Sequence, residues 1–209
     1  GGPTTSGGSG EGTRSTWLST WRDTLDELEP APPERPKPPP PERRGGEGLE
    51  SLVDYAVARH FAESTEQPII GGDAKPATTL LEGVCQHFAR LVAHWQVLGF
   101  VHGVLNTDNA LLCGETIDFG PCAFLDHFDP EASFSSIDRQ GRYAWHNQPG
   151  IMHWNLAVLA ECLLPLLHDD DETAKHKAQE IIDQYPARFH AHHQHWLAAK
   201  LGLDRLTEP

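Results

Sequence analysis

The chain has 209 residues, which is enough for one ordinary domain with a tail. It carries 16 basic and 30 acidic residues, a formal net charge of −14, and this charge opposes nonspecific binding to nucleic acid or to an anionic membrane. The longest apolar stretch, near Leu156–Leu167, is broken by Glu161 and Pro165, so we expect it to be too short to span a bilayer. We therefore expect neither a nucleic-acid partner nor a membrane partner.

The cysteines indicate a reducing compartment. Cys85, Cys113, Cys122 and Cys162 show no C-x-x-C spacing and stand in apolar sequence, which is typical of reduced, buried thiols. No basic and apolar signal opens the chain. We expect a cytoplasmic location, or a mitochondrial one if the source is a eukaryote.

Residues 1–48 have the composition of a disordered, proline-rich segment with one short helix. Gly1–Gly12 is rich in Gly, Ser and Thr. The amphipathic pattern of Thr16–Glu29 predicts a short helix, and the prolines of Pro30–Glu42 predict an extended linker. Arg43–Gly48 would then be a hinge before a folded domain that starts near Leu49.

Residues 49–209 have the pattern of a mainly α domain. Apolar residues recur at helical spacing in one segment that ends near His60 and in four more: Thr79–Leu98, Ile151–Leu167, Ala174–Gln184 and Pro186–Leu201. Gly99 is placed to stop the second helix. A long polar loop, His127–Gly150, comes directly before the helical segment Ile151–Leu167. Loops of this length are usually functional.

The centre of the chain predicts a short β-hairpin with polar ends. Two apolar runs, Ala110–Cys113 and Thr116–Ile117, are bridged by the turn-type pair Gly114-Glu115. Asn109 precedes the hairpin and Asp118 follows it, so an amide and a carboxylate would lie side by side. Oxygen ligands of this kind suit Mg²⁺ or Mn²⁺, with water and phosphate completing the shell.

The order of residues is also that of a kinase catalytic loop and its metal-binding Asp-Phe-Gly. His102-Gly103 is followed by Asn109 and then by Ile117–Gly120. Val104 stands where a loop of the type His-Gly-Asp-x-x-x-x-Asn carries its base, which argues against a small-molecule kinase of the aminoglycoside or choline type. Asp108 is the carboxylate in this loop. A degenerate kinase-like lobe that binds without catalysis remains an alternative.

Three stretches together resemble one family. The segment HGVLNTDN…TIDFGP.AFLD, then QGRY, and then QP.I..WNL..LAE.LLPLL resemble the SelO (selenoprotein O) family of kinase-fold protein adenylyltransferases. The resemblance covers roughly Leu49–Leu203 and is specific.

The resemblance implies a kinase-like C-lobe with a particular chemistry. Asn109 and Asp118 match the family's metal-binding pair, and so its nucleotide site, and Asp108 matches its proposed catalytic base. The family implies ATP as the substrate, bound in a flipped pose, so that AMP passes to a Ser, Thr or Tyr hydroxyl of a protein.

The chain also departs from the family's pattern. The family's N-terminal lobe holds a Gly-rich loop, a phosphate-binding Lys and its Glu partner, and none of these precedes Leu49. We also expect the family's C-terminal extension to be missing after Pro209. We therefore expect the catalytic C-lobe part alone, which would need the missing lobe or a partner chain to hold the departing pyrophosphate.

Overall fold

The computed structural model describes residues 46–61 and 75–206. The predicted helix Thr16–Glu29 and the proline-rich segment Pro30–Glu42 lie outside the described residues.

Within this part of the chain the structure is mainly helical, with one small sheet. Strand β1 pairs with β2 in antiparallel fashion, with Phe100 opposite Phe124 and Val101 opposite Ala123. The elements in chain order are α1 (Gly46–His60), α2 (Pro76–Leu98), β1 (Phe100–Val101), a 3₁₀ turn (Thr107–Asn109), β2 (Ala123–Phe124), a 3₁₀ turn (Trp145–Asn147), α3 (Gln148–Leu167), α4 (Asp171–Ile182) and α5 (Tyr185–Lys200).

Helix α2 is the centre of the core. Its apolar stripe, which includes Leu81, Phe88 and Val92, is almost completely buried, and the helix packs against α1, α3 and α5. The predicted stop is confirmed: Gly99 adopts a left-handed conformation with φ 72°, which costs glycine little. The chain then enters β1 and the loop that follows it.

Helix α3 forms the second part of the core, between α2 and α4. With the preceding 3₁₀ turn it makes a 23-residue run, Trp145–Leu167, that is long and apolar enough to cross a membrane by length and composition alone. The expectation that this stretch is too short is wrong, because Glu161 and Pro165 are both accommodated within the helix. Core helices pass the same test of length and composition, and 39% of the tested window is buried inside the protein.

The predicted hairpin is reduced to one β-bridge, between Ala110 and Thr116. The runs expected to be strands turn instead of extending. Gly114 N–H donates to the Leu111 carbonyl at 2.9 Å, and the Cys113 carbonyl accepts from His87 Nδ1 of α2 at 2.9 Å. A Cβ at Gly114 would lie 2.2 Å from the His87 Cβ, so the turn packs against α2 only because residue 114 has no side chain.

The helices begin earlier than the periodicity predicts. Helix α1 starts at Gly46, inside the predicted hinge, and α4 starts at Asp171 rather than Ala174. The carboxylate of Asp170 accepts the Thr173 N–H at 2.9 Å and caps α4. Polar first turns such as this one carry no apolar signal.

The cysteines are less uniform than expected. All four are free, and only Cys85 is buried, since Cys113 and Cys122 are half-buried and Cys162 is exposed. Burial raises the pKa of the Cys85 thiol to about 12. The apolar neighbours of the other three in sequence do not cover them in space.

Candidate active site

His102 connects the loop after β1 to the segment that carries Asp118 through hydrogen bonds of its imidazole. The imidazole is fully buried. Its Nδ1 lies 3.3 Å from the Val104 N–H, so Nδ1 accepts, and Nε2 carries the hydrogen that is donated to the Ile117 carbonyl at 3.0 Å. Burial lowers the pKa of His102, and the Ile117 carbonyl and the Asp118 carboxylate oppose this shift more weakly.

Asn109 closes the 3₁₀ turn and is 7% exposed. Its Nδ2 donates to the Val104 carbonyl at 2.8 Å, and this contact fixes which end of the amide is the oxygen. Its backbone carbonyl accepts the Ile117 N–H at 3.1 Å. The bridge therefore brings Asn109 beside Ile117, the residue directly before Asp118.

Asp118 has an unusual backbone. Its φ is 62°, a left-handed value found at no other non-glycine residue in the described part of the chain. Aspartate tolerates this region better than most residues, and such positions cluster at functional sites. The side chain is exposed, so burial does not explain why the carboxylate stands there.

Asp108 is exposed and lies in the same 3₁₀ turn as Asn109. It makes no ion pair with any residue that the structure describes. Of the three predicted site residues, the bridge therefore brings Asn109 and the neighbourhood of Asp118 together, and the turn adds Asp108 next to Asn109.

The oxygens present fit a hard cation such as Mg²⁺ or Mn²⁺ better than a softer metal that prefers nitrogen or sulfur ligands. No group of three or more His, Cys, Asp or Glu that could hold a metal occurs in residues 46–61 and 75–206. Mg²⁺ needs only one or two protein ligands besides water and phosphate. The Asn109 amide, held through its nitrogen, and the exposed Asp118 carboxylate can supply both.

An apolar surface borders the site. The side chains of Ile117, Phe119 and Phe124 are 45%, 48% and 61% exposed. Phe100 links two of them, with ring centroids 6.3 Å from Phe119 and 5.3 Å from Phe124. We call the two exposed rings, Phe119 and Phe124, the aromatic rim.

Three polar residues that contact the loop were missed by sequence reasoning. They are Tyr143, from the long polar loop, and Gln148 and Asn155, from α3. For two of them the signal was available, because Gln148 and Asn155 stand two turns apart on one face of a mainly apolar helix. Both are buried.

The comparisons with known proteins decide the family. Residues 42–209 match the family described as protein adenylyltransferase SelO. The chain belongs to the SelO family. Its relatives include the protein nucleotidyltransferase YdiU of Anoxybacillus flavithermus, 51% identical over 157 residues, which cover 75% of this chain and 32% of that protein.

Two further SelO relatives give the same result. The protein nucleotidyltransferase YdiU of Rhodococcus jostii is 51% identical over 160 residues, 77% of this chain and 31% of the relative. That of Rhodopseudomonas palustris strain HaA2 is 50% identical over 163 residues, which cover 78% of this chain and 32% of that protein. The chain thus spans about a third of the length of the curated relatives it matches.

Proposed function

We propose that this chain carries the metal-binding and base-bearing part of a SelO-type protein adenylyltransferase. In this reaction a Ser, Thr or Tyr hydroxyl of a protein forms a bond to the α-phosphorus of ATP. The bond between that phosphorus and the α–β bridging oxygen breaks, and pyrophosphate leaves. The products are an AMP-modified protein and pyrophosphate.

The observation that carries the proposal is the backbone pairing that brings the two predicted ligands together. The Ile117 N–H donates to the Asn109 carbonyl at 3.1 Å, so Asn109 and Asp118 belong to one local structure although the turn at Gly114 separates them in sequence. Turn chemistry alone would explain an Asp or an Asn at either end. It does not explain why Asn109 is buried and held by its side-chain amide nitrogen.

Asn109 and Asp118 would hold Mg²⁺ or Mn²⁺. When bound, the cation neutralises the charge that develops on the phosphate oxygens during transfer. The chain's own contribution is to present an amide oxygen from a rigid turn and a carboxylate from an exposed one.

Asp108 is the candidate for the base. It is exposed, so a substrate hydroxyl can approach it. Val104, where a kinase-like loop has its base, holds the loop through its backbone: its N–H contacts His102 and its carbonyl accepts from Asn109. Accepting the proton of the attacking hydroxyl is therefore the role that we assign to Asp108.

A kinase-like C-lobe accounts for the order of the elements. A central helix, α2, leads into the loop 102–109, then into the Asp118-Phe119-Gly120 turn, a long polar segment and the apolar α3. The aromatic rim beside the turn is exposed apolar surface of the kind that marks an interaction site. We propose that it contacts an N-terminal lobe or a partner chain that supplies the remaining phosphate contacts.

The experiment measures binding first and transfer second. Calorimetry of ATP with Mg²⁺ or Mn²⁺ on the purified chain should detect binding that Asp118→Ala abolishes. Transfer of label from [α-³²P]ATP to protein hydroxyls, measured with the N-terminal lobe of a SelO relative added as a second chain, should fall about 100-fold or more with Asp108→Asn, with binding kept, because removing a general base costs this much.

Asp169→Asn is the matched control, since Asp169 is an exposed carboxylate in the turn between α3 and α4. It should change neither quantity. Metal-dependent ATP binding that survives Asp118→Ala would contradict the metal assignment. Binding without any transfer of AMP label would replace the enzyme by a nucleotide-binding module.

A further inference from the structure

The loop 102–109 is held from one side by a single buried amide. Gln148, at the start of α3, is fully buried. Its Oε1 accepts the His102 N–H at 2.9 Å, and its Nε2 donates to the Phe100 carbonyl at 2.9 Å. One side chain thus satisfies a donor and an acceptor of the backbone on either side of Val101.

Two more side chains hold the loop further along. Asn155 Nδ2 donates to the Leu105 carbonyl at 3.1 Å. The Tyr143 hydroxyl donates to Asn106 Oδ1 at 3.1 Å. The contacts therefore run from β1 to the residue before the 3₁₀ turn that contains Asp108 and Asn109.

The residue types match these tasks. A carboxylate at 148 could accept from His102 but could not donate to Phe100, and an apolar side chain would leave both backbone groups without this partner. Asn155 is more telling, because its Oδ1 is buried without a hydrogen bond among the described residues. An apolar residue would avoid that orphaned acceptor, so what Asn155 adds is the donation to Leu105.

Tyr143 is itself held in place. Its backbone N–H donates to Asp138 Oδ2 at 2.9 Å, and the neighbouring Arg142 N–H donates to Asp138 Oδ1 at 2.9 Å. Ser133 Oγ also donates to this carboxylate, at 3.1 Å. The turn that carries Tyr143 is therefore held in place by Asp138.

We propose that Tyr143, Gln148 and Asn155, which we call the loop anchors, are positioning residues for Asp108 and Asn109. They hold the backbone at Phe100, His102 and Leu105 and the side chain of Asn106. The 3₁₀ turn then starts from a fixed point, and Asn109 keeps its side-chain amide on Val104. This inference rests on the proposed function for what the turn does. The anchoring itself rests only on the contacts.

Tyr143→Phe is the decisive variant, because it removes one hydroxyl from a half-buried side chain and leaves the ring. Two quantities are measured on the purified chain at a temperature well below unfolding. The first is Mn²⁺ affinity, from the electron paramagnetic resonance signal of free Mn²⁺. The second is the hydrogen-exchange rate of the Asn109 backbone N–H, which donates to the Asn106 carbonyl at 3.1 Å.

We expect Mn²⁺ affinity to fall about fivefold and Asn109 exchange to rise about fivefold, which is the effect of one net hydrogen bond. Gln148→Glu should produce a larger change in the same direction. Tyr55→Phe is the matched control, because Tyr55 is 60% exposed on α1 and should leave both quantities unchanged. Exchange in the core of α2, at Val92, should not respond to Tyr143→Phe.

A merely structural role predicts a lower melting temperature with unchanged Mn²⁺ affinity and unchanged Asn109 exchange in the folded state. That result for Tyr143→Phe would overturn the proposal. Failure of the wild-type chain to bind Mn²⁺ would instead refute the proposed metal site. Asn109 exchange would then decide on the anchors alone, since it needs no metal.

Discussion

The two halves of the candidate site are built differently. The inner half, residues 102–109, contains the buried residues His102, Leu105 and Asn109 and contacts side chains of α3 and the long polar loop. The outer half, residues 117–124, is mostly exposed. The position of Asn109 is therefore determined by the core, and that of Asp118 by a few backbone contacts.

This difference bears on how the complete site works. A cation that needs both residues would join a rigid ligand to one that depends on local turn geometry. The aromatic rim lies in the outer half, so a covering lobe or partner would stabilise the half that the chain itself holds least. Beside the backbone hydrogen bond from Ile117 to Asn109, His102 is a second connection between the halves, through its contacts to Val104 and Ile117.

The largest expected effect breaks the inner half. Gly103 has a φ of 85°, and a Cβ there would lie 2.8 Å from the Pro121 carbonyl oxygen. Gly103→Ala should lower the free energy of unfolding by about 3 kcal/mol, because it adds a left-handed alanine and a steric overlap with backbone. Urea denaturation followed by circular dichroism measures the change.

Gly202→Ala separates the two causes. Gly202 has a φ of 70°, but a Cβ there would meet no atom within 4 Å. This variant should lose only about 1 kcal/mol, the cost of the left-handed alanine. Equal losses for the two variants would show that the close approach of Gly103 to Pro121 adds nothing.

Much of the fold follows from periodicity, and the departures have local causes. The apolar stripe of α2 and its stop at Gly99 are both visible in the sequence. The hairpin that the sequence predicts is reduced to one bridge, because the runs around Gly114 have strand composition but are held in a turn by His87 of α2. A contact between residues so far apart in sequence has no signature in the pattern of either.

The site could be predicted in part for the same reason. Asn109 and Asp118 stand at the ends of a recognisable turn, so local sequence is enough to bring them together. The loop anchors act across long sequence separations, and the left-handed backbone of Asp118 is a feature of the folded turn. Neither follows from composition or spacing.

The second effect breaks the outer half and concerns Asp118. Asp118→Gly and Asp118→Ala should each weaken Mn²⁺ binding by more than about 100-fold, because losing a direct ligand costs more than losing its supporting contacts. Their stabilities should differ. With φ at 62°, the glycine variant should be more stable than the alanine variant by about 1 kcal/mol, by urea denaturation.

Asp169 provides the comparison, because its φ is not positive. There the order should reverse, with Asp169→Ala at least as stable as Asp169→Gly, since glycine gains more freedom on unfolding. An alanine variant at 118 as stable as the glycine variant would mean that the turn relaxes out of the left-handed region. The backbone of the outer half would then be more flexible than the structure indicates.

The smallest effect concerns the link between the halves and depends on pH. Burial lowers the pKa of His102 below its ordinary value of 6.5. Well above pH 6.5 the residue is neutral in both the folded and the unfolded state. As the pH falls through 6.5, His102 becomes protonated in the unfolded chain but stays neutral in the folded chain. The free energy of unfolding therefore falls until the pH reaches the lowered pKa of the folded state.

The slope from one such group is at most about 1.4 kcal/mol per pH unit. His193 also has a pKa lowered from 6.5, first by burial and then by His190, so two groups contribute. His102→Gln should therefore flatten the curve of unfolding free energy between pH 6.5 and 5 without making it level. The lowered pKa of Asp170 acts below its ordinary value of 3.8 and outside this window.

Protonation of His102 also has a specific consequence for the site. The imidazolium carries a hydrogen on Nδ1, which then faces the Val104 N–H, a second donor, at the position of the present 3.3 Å contact. Acid should therefore loosen the turn that Asn109 holds through Val104, and Mn²⁺ affinity should fall in the same window as stability. In His102→Gln the affinity should lose this pH dependence. An affinity that keeps its full dependence in that variant would show that His102 does not couple the two halves.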